Sequence, residues 1–413
     1  MEKPFSKSPL ILIAKVTQRL IEIGLVLLVA PFVILSRILR PILLIRYGHF
    51  TSSRVGHFAF DLAYYLRSRE LHQQSGSILD LFFIEAVSAN TFSVELARRY
   101  VTIMPVCRYL YIANKLIPFG NKQVIPLARD INGSRDVEGI IAGNPSILKF
   151  SQEEEGKGHA YLRDIGCVAG KYVCLIIRDE NYLKILYPEK DWGYHNHRNS
   201  SVEDYRVATQ ELADRGYFVI RMGKHVLEQF NVNSPNVVDY ATSKSRSDFL
   251  DIWLMAHCQF AVSTGTGTDI VTNLFNRPVV YVNYLPAIDY VSFVPNITLF
   301  KKLMWRKNKE YLTLEEMLRH SYKSNQKYFE NGITIVDLEP EEIKDAVVEM
   351  ADRIDDVWVE SNLDSELEDR YWKIMKAGSN YHKLHGYIHP EARYGMSFLR
   401  INHRKFLSNN RLD

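Results

Sequence analysis

The chain has 413 residues, a formal net charge of +3, 46% hydrophobic and 24% charged side chains. This composition excludes fibrous, disordered and disulfide-rich secreted classes, and at about 150 residues per domain the length allows two or three domains with sizeable cores. Its four cysteines, Cys107, Cys167, Cys174 and Cys258, form no Cys-x-x-Cys pair, so neither a disulfide framework nor a zinc knuckle is indicated and a reducing compartment fits.

Charge is unevenly distributed. Residues 1–54 carry eight basic side chains (Lys3, Lys7, Lys15, Arg19, Arg37, Arg40, Arg46, Arg54) against Glu2 and Glu22, which makes that segment +6 and the remainder −3. Within it, Ile23 to Leu35 is uncharged and mostly apolar, contains Pro31, and is followed by Arg37, Arg40 and a second apolar patch from Pro41 to Ile45. Crossing a bilayer takes about twenty apolar residues, so this run is expected to lie in the membrane interface, with the flanking cations attracting anionic lipid. A tilted, broken span from Leu20 to Ile45, a buried core helix and a signal peptide compete with this reading. The last is weakened because no small-residue cleavage site follows clearly.

An α/β pattern begins after the apolar patch, with Arg54-Val55-Gly56-His57, a helical run to Leu66 and a strand over Asp80 to Ile84. The stretch 151–170, with its Ser-Gln-Glu-Glu-Glu-Gly-Lys-Gly, interrupts the apolar pattern and reads as an interdomain linker. Beyond it, strands are expected at 172–177, 217–221, 236–239, 259–263 and 278–282, helices at 202–214, 247–256 and 268–275, and a last strand and helix within 333–354. Such alternation predicts a parallel, doubly wound sheet. Residues 355–413 read as a charged helix to about Lys376 and an irregular, aromatic and basic tail.

Ligands of open parallel sheets collect beyond the carboxyl ends of the strands. That rule selects Arg178 and Asp179, Arg221 and Lys224, Asp239 and Tyr240, the turn Ser263-Thr264-Gly265-Thr266-Gly267-Thr268, and Asn283 with Tyr284. The turn follows an apolar run and precedes a helix, so its backbone N–H groups are expected to face an anion; a tight turn with no ligand is the plain alternative, since turn chemistry also selects Gly and Thr. It lacks the Gly-Lys-Ser/Thr of a P-loop, and Ile270 stands where a dinucleotide fingerprint needs glycine. Arg178 and Lys224 would neutralise a diphosphate. His195 and His197 have metal-like spacing without a clear third ligand, so a loop contacting substrate is the better reading. No Asp-x-Asp occurs, and neither a metal nor another cofactor is expected.

Together, Arg54-Val-Gly-His57, Ile177-Arg178-Asp179, Tyr194-His-Asn-His-Arg-Asn-Ser-Ser201, Gly216 to Gly223, Asp239-Tyr-Ala, Ser247 to Leu254, the Ser263 to Gly267 loop, Val282-Asn283 and Phe398 to Asn402 resemble bacterial glycosyltransferases of surface-polysaccharide gene clusters. The resemblance covers about residues 45–405. It implies an α/β fold of GT-B type, with two Rossmann-like domains facing a cleft: a membrane-associating segment at 1–45, an acceptor domain at 46–165, a nucleotide-sugar donor domain at 166–355, and a C-terminal helix and tail at 356–413 packing back on the N-terminal domain. The second half also looks like the donor domain of fucosyltransferases, with Arg178 and the 264–268 loop in the diphosphate-holding places. It departs at Ile177, near where those enzymes carry the histidine of a His-x-Arg.

The reaction so implied is metal-independent transfer of a sugar from a nucleotide-sugar donor to a glycan or lipid-linked acceptor, at the cytoplasmic face of the cell membrane. Charge stabilisation falls to Arg178, Lys224 and the loop. Arg221, Asp239, Tyr240 and Asn283 are further donor contacts, and His57 with Asp61 one turn on supplies the base. A nucleotide-sugar epimerase of related fold and a noncatalytic carbohydrate-binding or scaffold protein are the alternatives. Nucleic acid is not an expected partner, because the basic residues adjoin apolar runs and not aromatic platforms.

Overall fold

The computed structural model describes residues 9–408 except 73–75, 168–169, 187 and 190, with backbone only for 9–15, 183, 186 and 195. It divides into two compact units, Met1–Gly133 and Ser134–Asp413.

In the first unit, β1 (Leu43–Phe50), β2 (Ser77–Ile84) and β3 (Thr102–Ile103) form a parallel sheet in that order, with Leu43 opposite Ser77 and Leu81 opposite Thr102. Close approach is built in at Gly48, where a Cβ would lie 2.5 Å from the Phe82 ring. Phe82 stacks on Phe50, and the helix Val55–Leu71 covers that face through Phe58 and Tyr65. Arg46 and the buried Asp80 pair across β1 and β2 at 2.7 Å, and Tyr65 donates to the same carboxylate.

The N-terminal helix, Pro9–Ile38, runs through Pro31 without a break. Its segment Val16–Ile38 is 23 residues at mean hydropathy 2.2, about 35 Å at the helical rise, long and apolar enough by length and composition to cross a membrane. The apolar element is therefore longer than Ile23 to Leu35, which was expected to be too short for a span. Residues flanking that core keep the same helical register despite Arg19, Glu22 and Arg37. A stripe of Val26, Val29 and Val33 packs against Tyr109, Leu110, Ile112 and Ala113 of the helix Cys107–Leu116, and Leu20, Ile21, Ile23, Leu27, Leu28, Phe32, Ile34, Leu35 and Ile38 are exposed. Arg37 does not serve as a lipid-facing cation. Its guanidinium is bound by the carbonyls of Asn114, Ile117 and Pro118 at the end of Cys107–Leu116, where orphan helix carbonyls need donors.

The second unit is built on a seven-stranded sheet of β4 (Tyr172–Ile176), β5 (Phe218–Arg221), β6 (Val237–Val238), β7 (Phe260–Ser263), β8 (Val279–Tyr284), β9 (Asn296–Phe300) and β12 (Ala392–Tyr394). The order is β12-β9-β8-β7-β4-β5-β6, and every pairing is parallel. Strands β4 and β7 are buried throughout, as expected when helices cover both faces. The strand expected near 333 is not in this sheet: β11 (Ile333–Val336) pairs antiparallel with β10 (Lys302–Trp305) in a separate ribbon. Only the first residue of β11 is buried, which suits a ribbon better than a central strand.

Residues 151–170 are not a linker. The helix Gln152–Asp164 starts in a Ser151/Glu154 capping box and packs on the helix Asp248–His257. Trp253 donates to Glu155 at 2.9 Å, and a Cβ on Gly158 would lie 2.1 Å from the Trp253 ring. The glutamates and glycines that looked like a break are a first turn and a close-packing face. The C-terminal segment, assigned by resemblance to the first domain, is part of this second unit. Its helix Met396–Phe406 is held by Glu349, which accepts from Met396 N and Ser397 N, and by the Arg400–Asp364 pair at 2.6 Å.

Candidate functional site

From β4 the sheet grows to β5 and β6 on one side and to β7, β8 and β9 on the other. The order of connection reverses between β4 and β7, and such a topological switch point opens a crevice at the strand carboxyl ends. Arg178 follows β4, and Ser263 to Thr268 follow β7. The two loops are tied together there, since Arg178 N donates to Thr264 Oγ1 at 3.0 Å.

Arg178 is mostly buried, and its guanidinium makes no hydrogen bond or ion pair among the described residues; Nε is fully covered. Burial, and then the neighbouring charge of Arg198, push its pKa down from 12.5 to about 10. Asp179 does not neutralise it by contact, because that carboxylate accepts from Asn181 N and Leu227 N. Arg198, within Tyr194 to Ser201, is not among the residues that the strand-end rule selects. It reaches the glycine turn and donates to Gly265 O. Two cations thus meet at the switch point.

The turn itself differs from expectation. Its N–H groups face an acceptor that the chain already supplies. Asp269 is buried, and its carboxylate accepts from Ser263 Oγ at 2.6 Å, Thr266 N at 3.1 Å and Gly267 N at 3.1 Å, while Gly265 N donates to Ser263 Oγ at 3.0 Å. The backbone nest therefore holds a carboxylate of its own, and the following helix, Ile270–Leu274, is only five residues. Burial raises the Asp269 pKa, against the opposing pull of these hydrogen bonds and Arg198. Hydroxyls remain: Thr266 Oγ1 and Thr268 Oγ1 lie 2.7 Å apart on the partly buried loop. Gly265 has φ +74, and a Cβ there would meet the Tyr284 ring at 2.5 Å, so two independent constraints require glycine.

Several selected residues are occupied internally. Arg221, 2% exposed, pairs with Asp239 at 3.2 Å and donates to Glu228 O at 2.7 Å. Asp239 also accepts from Phe230 N, so these two hold each other and the 228–230 loop. Buried Tyr240 donates to Asp251 at 2.9 Å, and Lys224 lies 3.4 Å from Asp248, both at the start of Asp248–His257. Arg246 completes that cluster, and burial lifts Asp251 to about 6. Asn283, at φ 54, donates to Ser200 Oγ and accepts from Leu338 N, which makes it a clamp between loops. Ser263, Thr264, Gly265, Thr266, Gly267 and Thr268 stand beside Arg178 as one group; Arg221 with Asp239, Lys224 with Tyr240, and Asn283 form three others along the same edge.

A cavity of about 540 Å³ lies in the segment after Arg178, lined by Glu180, Lys184, Asp191, Trp192, Gly193 and Asn196. His197 is buried, with Nδ1 3.1 Å from Tyr194 O. Among the described residues no three His, Cys, Asp or Glu side chains are grouped to hold a metal ion.

In the first unit His57 lies in the opening turn of Val55–Leu71. Burial, then Arg54 and Arg129, lower its pKa below 6.5. Asp61 is fully buried and accepts from Arg129 N at 3.0 Å, with the Arg129 guanidinium at 3.9 Å, a placement that anchors the 128–132 turn.

No protein-family model and no curated protein matches the chain. Among solved structures it is similar to the glycosyl transferase family 9 protein from Veillonella parvula DSM 2008, at TM-score 0.46 and 10% identity over 74% of this chain and 96% of that one. It is also similar to the E. coli ADP-heptose lps heptosyltransferase II, at TM-score 0.33 and 14% identity over 59% and 86%. At these scores the likenesses bear on neither activity nor substrate.

Proposed function

We propose that the chain is a glycosyltransferase of GT-B type that moves a sugar from a nucleotide-sugar donor to a glycan or lipid-linked acceptor of a surface polysaccharide, without a metal, at the cytoplasmic face of the cell membrane. One observation carries the reading. Arg178 is a largely buried guanidinium with no ion pair among the described residues, beside a second cation, Arg198, at the switch point of a parallel sheet. Desolvating a charge is costly unless a counter-charge arrives, and a diphosphate supplies one that two guanidinium groups bind well.

In the reaction, an acceptor hydroxyl attacks the anomeric carbon, the bond from that carbon to the diphosphate oxygen breaks, and the leaving diphosphate gains negative charge. Arg178 and Arg198 stabilise that charge, with Thr266 and Thr268 hydroxyls as further donors. These hydroxyls replace the loop N–H groups in that role, since Asp269 holds Thr266 N and Gly267 N. The cavity lined by Trp192, Glu180 and Asp191 offers a hydroxyl-rich ring an aromatic side chain and carboxylates. The acceptor proton needs a base. His57, kept neutral at pH 7 by burial and by Arg54 and Arg129, is the candidate. The exposed apolar face of Val16–Ile38 supports the membrane assignment.

The test is a thermal-shift screen of the full chain in mild detergent against UDP, GDP, CMP, ADP and dTDP and their sugars, with and without EDTA. A ligand at 100 times its dissociation constant stabilises by about 2.7 kcal/mol. One nucleotide class stabilising the protein regardless of EDTA supports the proposal; no response to any removes it.

A further inference from the structure

A second apolar element, distant in sequence from the N-terminal helix, projects from the first unit. The helix Cys107–Leu116 ends in the loop Ile117 to Gly120, where Leu116 is 71% and Phe119 92% exposed. Phe119 sits at φ 68, a left-handed conformation that phenylalanine rarely adopts. Nothing about the loop is slack. Arg37 binds the carbonyls of Asn114, Ile117 and Pro118, and Asn114 Nδ2 donates to Gly120 O at 2.9 Å. A Cβ on Gly120 would lie 2.5 Å from the Arg37 guanidinium. The fold therefore holds a large aromatic side chain outward in a strained conformation.

Arg37 also joins this loop to the last turn of the apolar helix, whose Ile38 is 68% exposed and is followed by Ile42 at 76%. The flanking stretches of sequence carry charge of one sign. No Asp or Glu occurs between Glu22 and Asp61 or between Glu95 and Asp130, while the second interval alone holds Arg98, Arg99, Arg108, Lys115, Lys122 and Arg129. Lys115 and Lys122 are exposed and flank the loop. Apolar tips flanked by two exposed lysines match the two layers of an anionic bilayer surface, acyl chains below and phosphates above.

We propose that the Leu116 to Phe119 loop is a second membrane-insertion element, fixed beside the apolar helix by Arg37, and that its partner is an anionic lipid bilayer. This rests on the membrane reading above and adds a site to it. A preformed tip loses little entropy on insertion, and it would set how the first unit lies on the membrane whether the helix spans or lies flat.

The test uses the full chain and vesicles of phosphatidylcholine, alone or mixed with phosphatidylglycerol. Phe119→Trp places a fluorescent reporter at the tip, read as the difference from wild type, because the five natural tryptophans (Trp192, Trp253, Trp305, Trp358, Trp372) all lie in the second unit. The expected result is flotation favoured by phosphatidylglycerol, quenching of the reporter by brominated acyl chains, and roughly tenfold weaker partition of the double variant Leu116→Ser/Phe119→Ser. Protein that floats while the reporter at the tip stays unquenched overturns the loop assignment and leaves the helix reading standing. Wild type that floats with neither vesicle overturns both. If light scattering shows that the double variant loses self-association while its partition is unchanged, the patch belongs to a second copy of the chain and the proposal falls.

Discussion

Replacing Asp269 with asparagine tests whether the glycine turn is shaped by an internal carboxylate. The wild-type group accepts three hydrogen bonds, two at Oδ2 from Ser263 Oγ and Thr266 N and one at Oδ1 from Gly267 N. Asparagine keeps one acceptor oxygen, so at best two of these survive and an amide NH₂ confronts the remaining N–H. Losing one hydrogen bond to a charged group costs about 1.5–3 kcal/mol, and stranding its donor costs about 1–3 more. Relief of the buried charge offsets part of this, leaving an expected net loss of about 1–3 kcal/mol, or roughly 2–10 °C in melting temperature for a unit of this size. Burial raises the Asp269 pKa, so the folded state binds its proton more tightly than the unfolded state does. Wild-type stability from this group therefore rises as pH falls from the raised value toward 3.8, and the gap to Asp269→Asn widens in that direction. Thermal melts across pH and amide exchange at Thr266 and Gly267 measure both effects. A variant as stable as wild type, with unchanged protection at those two amides, would refute the assignment.

Further outcomes follow from the same contacts. Arg221→Ala removes a buried partner of Asp239 and should cost about 3–5 kcal/mol, whereas Arg178→Ala removes no ion pair among the described residues and should leave the melting temperature nearly unchanged; equal destabilisation of the two would contradict the division between structural and ligand-facing arginines. Gly265→Ala combines a positive φ with a Cβ 2.5 Å from the Tyr284 ring and should lose about 2–4 kcal/mol, seen in the same melts. With His57 as base, kcat/KM should decline only below pH 6.5, because burial, Arg54 and Arg129 favour the neutral ring. Arg54→Ala should move that acid limb to higher pH, and an unmoved limb would exclude His57 as the titrating group.

Much of the second unit was legible because β4, β5, β7 and β8 are short apolar runs bounded by turn residues, the pattern a buried parallel strand leaves in sequence. The strands β9 and β12 were not anticipated. Asn296–Phe300 follows a proline-rich connection, and Ala392–Tyr394 is three residues whose pairing depends on a chain return of ninety-odd positions. At the site, the rule about strand ends located Arg178 and the glycine turn but could not separate Arg178 from Arg221. That difference lies in Asp239 and Glu228, which accept from the second arginine's terminal nitrogen, whereas the first has no ion pair among the described residues. Asp269 was readable in principle, being a carboxylate directly after a turn rich in small residues, where side-chain acceptors commonly satisfy backbone N–H groups. Arg198 had no local signal; its importance comes from a short helical turn, Gly193–Arg198, that carries it to Gly265 O. The N-terminal helix was under-read because Pro31 and the flanking charges look like boundaries, whereas Arg37 is consumed by carbonyls of a neighbouring helix.

The most direct test of the central claim is calorimetric titration of wild type, Arg178→Ala and Arg198→Ala with the nucleoside diphosphate that responds in the screen and with its monophosphate. If the two arginines hold the donor's diphosphate, wild type should bind the diphosphate more tightly than the monophosphate, and each variant should lose about 1.5–3 kcal/mol for the diphosphate, roughly ten- to 150-fold, with much less change for the monophosphate. Equal affinity of wild type for the two nucleotides, or variants that bind the diphosphate as wild type does, would contradict it.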